Sequence, residues 1–242
     1  MNILAQFRDA PGSIGVGQFE VHLKRLWPVV EALASKDNRL ANWYLTGDTE
    51  AEARLYPVFE APGIPSTALL AVLSTRYEGS KRDRPKVFGF WNGHNDPMAG
   101  AQLKLSIDTG VMPSEIEIDL PDQVQGLGDC FAVEGVASVI ARDYNPFYVS
   151  VAPRAYFEKQ VFDDKPGVGW MLYLPKVITE QQVPEARALI PVPEASRKQV
   201  GTIIVSVADA VFSADNPEHV EVANRIEIRM VDQDLLPAYA DL

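Results

Sequence analysis

The side chains best suited to bond-making are few. Cys130 follows Gln125-Gly126-Leu127-Gly128-Asp129 at the predicted start of a helix, where free amide groups and the helix dipole stabilise a thiolate, so a cysteine hydrolase with Cys130 as nucleophile is one reading. Three features oppose it. No His-bearing partner motif follows, Phe131-Ala132-Val133 departs from the small residues usual after such a nucleophile, and a lone cysteine is commonly a small buried hydrophobe. His22, His94 and His219 are the only histidines, each isolated, and no Cys or His pair has metal-ligand spacing. His22 on the first predicted helix and His219 in the first turn of the last read as surface or capping residues. His94 falls in the turn-forming run Asn92-Gly93-His94-Asn95-Asp96-Pro97.

Phosphate-binding signatures are missing as well. There is no Gly-x-x-x-x-Gly-Lys, and Gly12-Ser13-Ile14-Gly15-Val16-Gly17 lacks both the lysine and the dinucleotide fingerprint, so it reads as a flexible lead-in to the first helix. No recognisable frame for a glycosidase or aspartic dyad surrounds any of the carboxylates. No catalytic, cofactor-binding or metal-binding residue is therefore assigned.

The carboxylates are instead notable for placement. From Leu105 to Ala141 stand Asp108, Glu115, Glu117, Asp119, Asp122, Asp129 and Glu134, with no Lys or Arg. Glu115, Glu117 and Asp119 share one face of a predicted strand, a row with about 7 Å between neighbours that a basic surface could meet; the alternative is a solvated sheet face balanced by Lys104 across the hairpin. From Ile203 to Leu242, Asp209, Asp215, Glu218, Glu221, Glu227, Asp232, Asp234 and Asp241 face only Arg225 and Arg229. Glu115, Glu117, Asp119 and Asp122 on the hairpin, and Asp215, Glu218 and Glu221 at the last helix, are the candidate partner-binding residues.

These groups need elements to hold them. Phe19, Leu23, Leu26, Val30 and Leu33 recur at helical spacing and predict a helix from about Gly17 to Lys36, with a kink or a division into two shorter helices at Pro28 that leaves Trp27 facing a gap. Ser66 caps a second helix, Asp129 a third with Val133, Val136, Ala137 and Ile140 inward, and Asn216-Pro217-Glu218 opens the last, whose apolar face is Val220, Ala223, Ile226 and Met230. Strict alternation makes half-buried strands of Gln102–Ile107 and Glu115–Leu120, joined as an antiparallel hairpin by the turn residues Thr109-Gly110-Val111-Met112-Pro113. Residues 3–7, 42–46, 87–91, 147–151, 169–174 and 202–207 add further strands. Strand and helix do not alternate strictly, so the expected fold is α+β, a mixed and largely antiparallel sheet with about four helices. One domain over 1–242 is expected, and a strand-and-helix pattern that occurs twice suggests similar halves, 1–124 and 125–242.

The 242 residues are 47% hydrophobic and 23% charged, the balance of a folded globular chain. Twenty-two basic against thirty-three acidic residues leave a net charge of −11, which repels nucleic acid and anionic membranes and attracts a basic protein. A charge interrupts the first apolar run at Arg8, no span of membrane length follows, and the single cysteine forms no internal disulfide. A cytoplasmic binding protein without cofactor or small-molecule substrate is the expectation.

Phe90-Trp91-Asn92-Gly93 after a strand, Gly169-Trp170-Met171-Leu172-Tyr173-Leu174-Pro175, Gly201-Thr202-Ile203-Ile204-Val205, Asn216-Pro217-Glu218-His219 and the closing Asp234-Leu235-Leu236-Pro237 resemble, in that order, the immunity protein 52 family over nearly the whole chain. The resemblance implies a bacterial antitoxin that binds a cognate nuclease toxin with a restriction-endonuclease-like domain, delivered by type VI secretion, and implies no catalytic residues. A nuclease must hold phosphates with Lys and Arg, so an acidic chain can occupy the same surface.

Overall fold

A computed structural model describes residues 1–10, 14–15, 17–79, 84–108, 112–121, 124–193 and 198–242. The glycine-rich lead-in falls partly, and the hairpin turn at Thr109–Val111 and the candidate Asp122 wholly, outside the described residues. In chain order the elements are β1 (Asn2–Phe7), α1 (Phe19–Lys36), β2 (Tyr44–Leu45), α2 (Glu50–Ala53), β3 (Phe59–Ala61), β4 (Ile64–Pro65), α3 (Thr67–Arg76), β5 (Lys86–Trp91), β6 (Gln102–Ile107), β7 (Ser114–Asp119), α4 (Cys130–Tyr144), β8 (Tyr148–Ala152), β9 (Met171–Leu174), β10 (Ala188–Pro193), β11 (Gln199–Val205) and α5 (Pro217–Asp232). Each strand pairing described below is antiparallel, and four helices have ten residues or more. The α+β class read from the sequence is the class observed. The chain divides into two compact units, residues 7–125 and residues 1–6 with 126–242.

In the unit of residues 7–125, β7, β6, β5 and β2 lie side by side in that order. Leu103, Leu105 and Ile107 of β6 and Ile116 and Ile118 of β7 are buried, as their alternation requires. From α1, Phe19, Leu23, Leu26, Val30 and Leu33 are all buried, and Phe19 packs edge-on against Phe88 of β5 with ring centroids 5.6 Å apart. Helix α1 is continuous through Pro28, so the expected division into two helices does not occur. Trp27 faces no gap either: its ring meets Phe59 at 5.0 Å and 73°. The partner comes from the β3–β4 hairpin, whose Gly63 turns at φ +70°, a conformation only glycine adopts cheaply.

The other unit orders its strands β10, β11, β9, β8, β1. Every residue of β8 and β9 is buried, which demands apolar cover on both faces. Leu172, Leu174 and Ile204 join Val222, Ile226 and Met230 of α5 in one cluster, while α4 packs against β8, β9, β10 and β11. Helix termini follow the sequence: Asp129 Oδ1 accepts the Ala132 N–H at 2.9 Å, and Asn216 Oδ1 accepts the Glu218 N–H at 3.0 Å. Strand β10 ends this order with β11 on one side, and its Pro191 and Pro193 stand two residues apart. Proline has no N–H to give a ladder, a loss that a strand at the end of a sheet tolerates.

Gly201 on β11 sets how tightly β9 can approach, because a Cβ there would collide with the Tyr173 ring and the Leu174 carbonyl. Gly201→Ala is expected to lower stability by about 3 kcal/mol, read from the urea midpoint at unchanged m-value.

Candidate docking faces

On β7 the carboxylates of Glu115, Glu117 and Asp119 alternate with buried Ile116, Ile118 and Leu120. The pairing register sets Glu117 opposite Lys104 of β6. Lys104 Nζ reaches Glu115 Oε1 at 2.8 Å and Glu117 Oε2 at 2.7 Å, and these two glutamates are only 22% and 18% exposed. Burial works against the Lys104 charge, but the two carboxylates outweigh it and raise its pKa. Asp119 is half-buried and also has partners. The row therefore exists as geometry, with one ammonium already seated between two of its three members.

The C-terminal face differs. Asp215, Glu218 and Glu221 are exposed and lie just before and within the first two turns of α5, where the helix dipole favours negative charge. The loop ahead of them is firmly held. Phe212 is buried and meets Tyr156 edge-on at 5.3 Å, Lys159 Nζ donates to the Ala214 carbonyl at 2.7 Å, and the Ser213 N–H donates to His219 Nδ1 at 3.0 Å. That last bond ties the loop to the first turn of α5 through His219. Concavities flank this end of α5: one of about 410 Å³ is lined by Arg187, Ala208, Asp209, Glu218, His219 and Val222 among others, and one of about 510 Å³ by Asp215, Pro217, Val220, Glu221, Arg225 and Ile228 among others. Glu221 meets Arg225 only loosely, at 3.7 Å with both side chains more than half exposed, a pairing that contributes little in water. Asp209, counted with the acids of this stretch but not singled out from sequence, shares a cavity with Glu218. Glu227 does not belong to the surface at all: it is buried.

The hydrolase alternative meets the opposite of what it needs. Cys130 is buried and its Sγ donates to the Ala208 carbonyl at 3.3 Å. Burial first, and the Asp129 charge second, push the thiol pKa up, whereas a nucleophile needs it lowered. His22 corrects a second expectation. It is buried within α1 with Nε2 3.1 Å from the Gly15 carbonyl, and burial lowers its pKa, so it is a core residue and not a surface one. His94 is exposed in its turn. Among the described residues no group of three or more His, Cys, Asp or Glu side chains could hold a metal, and no helix is long and apolar enough to cross a membrane.

Comparison with known proteins gives three results. The profile of a family described as immunity protein 52 matches residues 18–239. Among solved structures, the Pseudomonas aeruginosa T6SS protein PA0821 superposes with a TM-score of 0.55 at 11% sequence identity, covering 94% of this chain and 75% of its own; at that identity the likeness concerns the fold. No curated protein matches the chain.

The position of Cys130 has a direct chemical readout. In the native protein near neutral pH its reaction with a thiol reagent is expected to be at least about tenfold slower than in the urea-unfolded chain. Native labelling as fast as in the unfolded chain would restore the nucleophile reading.

Proposed function

The chain belongs to the immunity protein 52 family, and from that premise we propose that it neutralises a cognate nuclease toxin of a type VI secretion system by docking an acidic surface over the toxin's nucleic-acid-binding face. The family match over residues 18–239 is the observation that carries this reading. The toxin class is the one the family resemblance implies: a nuclease of restriction-endonuclease-like fold concentrates Lys and Arg where phosphates bind, and a chain of net charge −11 is attracted to such a surface. The T6SS protein from P. aeruginosa supports the secretion context through fold likeness. The protein acts as one immunity domain over 1–242, in the cytoplasm where the nucleic acid is, by stoichiometric binding and without turnover.

Of the acidic faces, the head of α5 fits docking better than the hairpin. Steering depends on charge that is exposed and not already compensated. Asp215, Glu218 and Glu221 offer such charge on a capped helix beside two concavities, whereas Glu115 and Glu117 share Lys104 and Asp119 lies half-buried beside them. Asp122 extends the hairpin set. The hairpin acids are assigned a secondary part, contributing to the long-range field.

The test is a nuclease assay with the co-purified toxin. One equivalent of this chain is expected to abolish cleavage. Reversing Asp215, Glu218 and Glu221 to Lys should slow association at least about tenfold at low salt and flatten its salt dependence, with a smaller effect from reversing Glu115, Glu117 and Asp119. If the hairpin set slows association more than the α5 set, the assignment of faces is wrong; full nuclease activity in a saturated complex would sink the inhibitory role itself.

A further inference from the structure

Glu227 faces inward on α5 and is 1% exposed. Its Oε1 accepts the Val168 N–H at 2.9 Å and lies 2.5 Å from Tyr156 Oη, and its Oε2 accepts the Val161 N–H at 2.8 Å. Tyr156 Oη is also 3.0 Å from Asn224 Oδ1, and Asn224 Nδ2 donates to the Lys159 carbonyl at 3.1 Å. These contacts form a row: Glu227 to Tyr156, Tyr156 to Asn224, Asn224 to the Lys159 carbonyl. Three contacts need three hydrogens. The phenol has one, and the amide directs one along the row. Turning the amide over gives Tyr156 a donor but sets the amide oxygen against the Lys159 carbonyl, two acceptors face to face. The row closes only when Glu227 supplies the third hydrogen, donating to Tyr156 Oη, which donates to Asn224 Oδ1.

On that count we propose that Glu227 is held as the neutral carboxylic acid in the native fold, a structural proton that fastens the 156–168 segment to α5. Its hydrogen-bond partners are one phenol and two backbone amides, and among the described residues no Lys, Arg or His pairs with it. The other charges nearby are committed elsewhere or share its sign. The Lys159 ammonium is on the Ala214 carbonyl, and Lys165 stands 3.9 Å from Asp164. Burial raises the pKa of Tyr239 on the C-terminal turn, so its phenol brings no charge there. Burial likewise pushes Glu227 above its ordinary 4.5 despite the opposing pull of Tyr156 and the two amides, and it pushes the Tyr156 phenol upward, so that phenol stays protonated. The linkage has a definite sign. In the unfolded chain this carboxyl loses its proton near 4.5 while the native chain keeps it. Its stabilisation is complete below that pH and is lost as pH rises through the native pKa, by up to about tenfold in the folding constant per pH unit.

The test uses the full chain carrying ¹³C-labelled glutamate, with the side-chain carboxyl carbons followed by NMR across the pH range. Near pH 7 one glutamate resonance is expected at the protonated position, with the remainder ionised, and that resonance should be missing from Glu227→Gln. Should Glu227→Gln fail to fold, Tyr156→Phe replaces it, because deleting the hydroxyl removes the acceptor of this proton and must shift the same resonance. A spectrum in which every glutamate is ionised near pH 7 overturns the proposal, and so does a protonated resonance that neither substitution touches.

Discussion

Helix α5 answers two opposed demands with its two sides. Its inner side gives Val222, Ile226 and Met230 to an apolar cluster with Leu172, Leu174 and Ile204, and burial at this density permits a polar group only when its hydrogen bonds are made. Glu227 meets that condition through Tyr156, Val161 and Val168. The outer side carries Glu218 and Glu221 in solvent. Because the inner side is fixed, the backbone positions that carry the outer carboxylates are fixed with it.

Net charge and usable charge are different quantities here. The hairpin acids stand on a strand where cross-strand neighbours are forced into contact, and Lys104 falls between two of them by register alone. On α5 the ion pair to Arg225 is long and solvated. The same residue type thus contributes to local stability in one place and to the outward field in the other, and the difference lies in what the backbone sets opposite each side chain.

Much of this frame was legible in the sequence. The caps at Ser66, Asp129 and Asn216, the alternation on β6 and β7 and the apolar stripe of α1 all depend on neighbours a few residues away. What escaped depends on distant partners or contrary signals. Strand β10 is absent from the sequence reading because Pro191 and Pro193 argue against a ladder, and the gap expected at Trp27 is filled by a hairpin whose Phe59 is more than thirty residues away. Two polar residues fall on their helices' apolar stripes, although His22 reads as a surface or capping residue and Glu227 is only counted among the acids of the C-terminal stretch: His22 lies three after Phe19 and four before Leu26, and Glu227 lies four after Ala223 and three before Met230. A polar side chain inside an apolar stripe was the available sign of burial. For the docking face, the sequence offered Lys104 opposite the carboxylate row as the alternative to docking; the structure adds that its ammonium reaches both Glu115 and Glu117.

The prolines of β10 bear on how this protein behaves in quantity. At high concentration an open strand edge invites identical chains to line up and grow into fibres. Pro191 and Pro193 have no amide hydrogen to offer an incoming strand, which makes β10 a poor template for such growth.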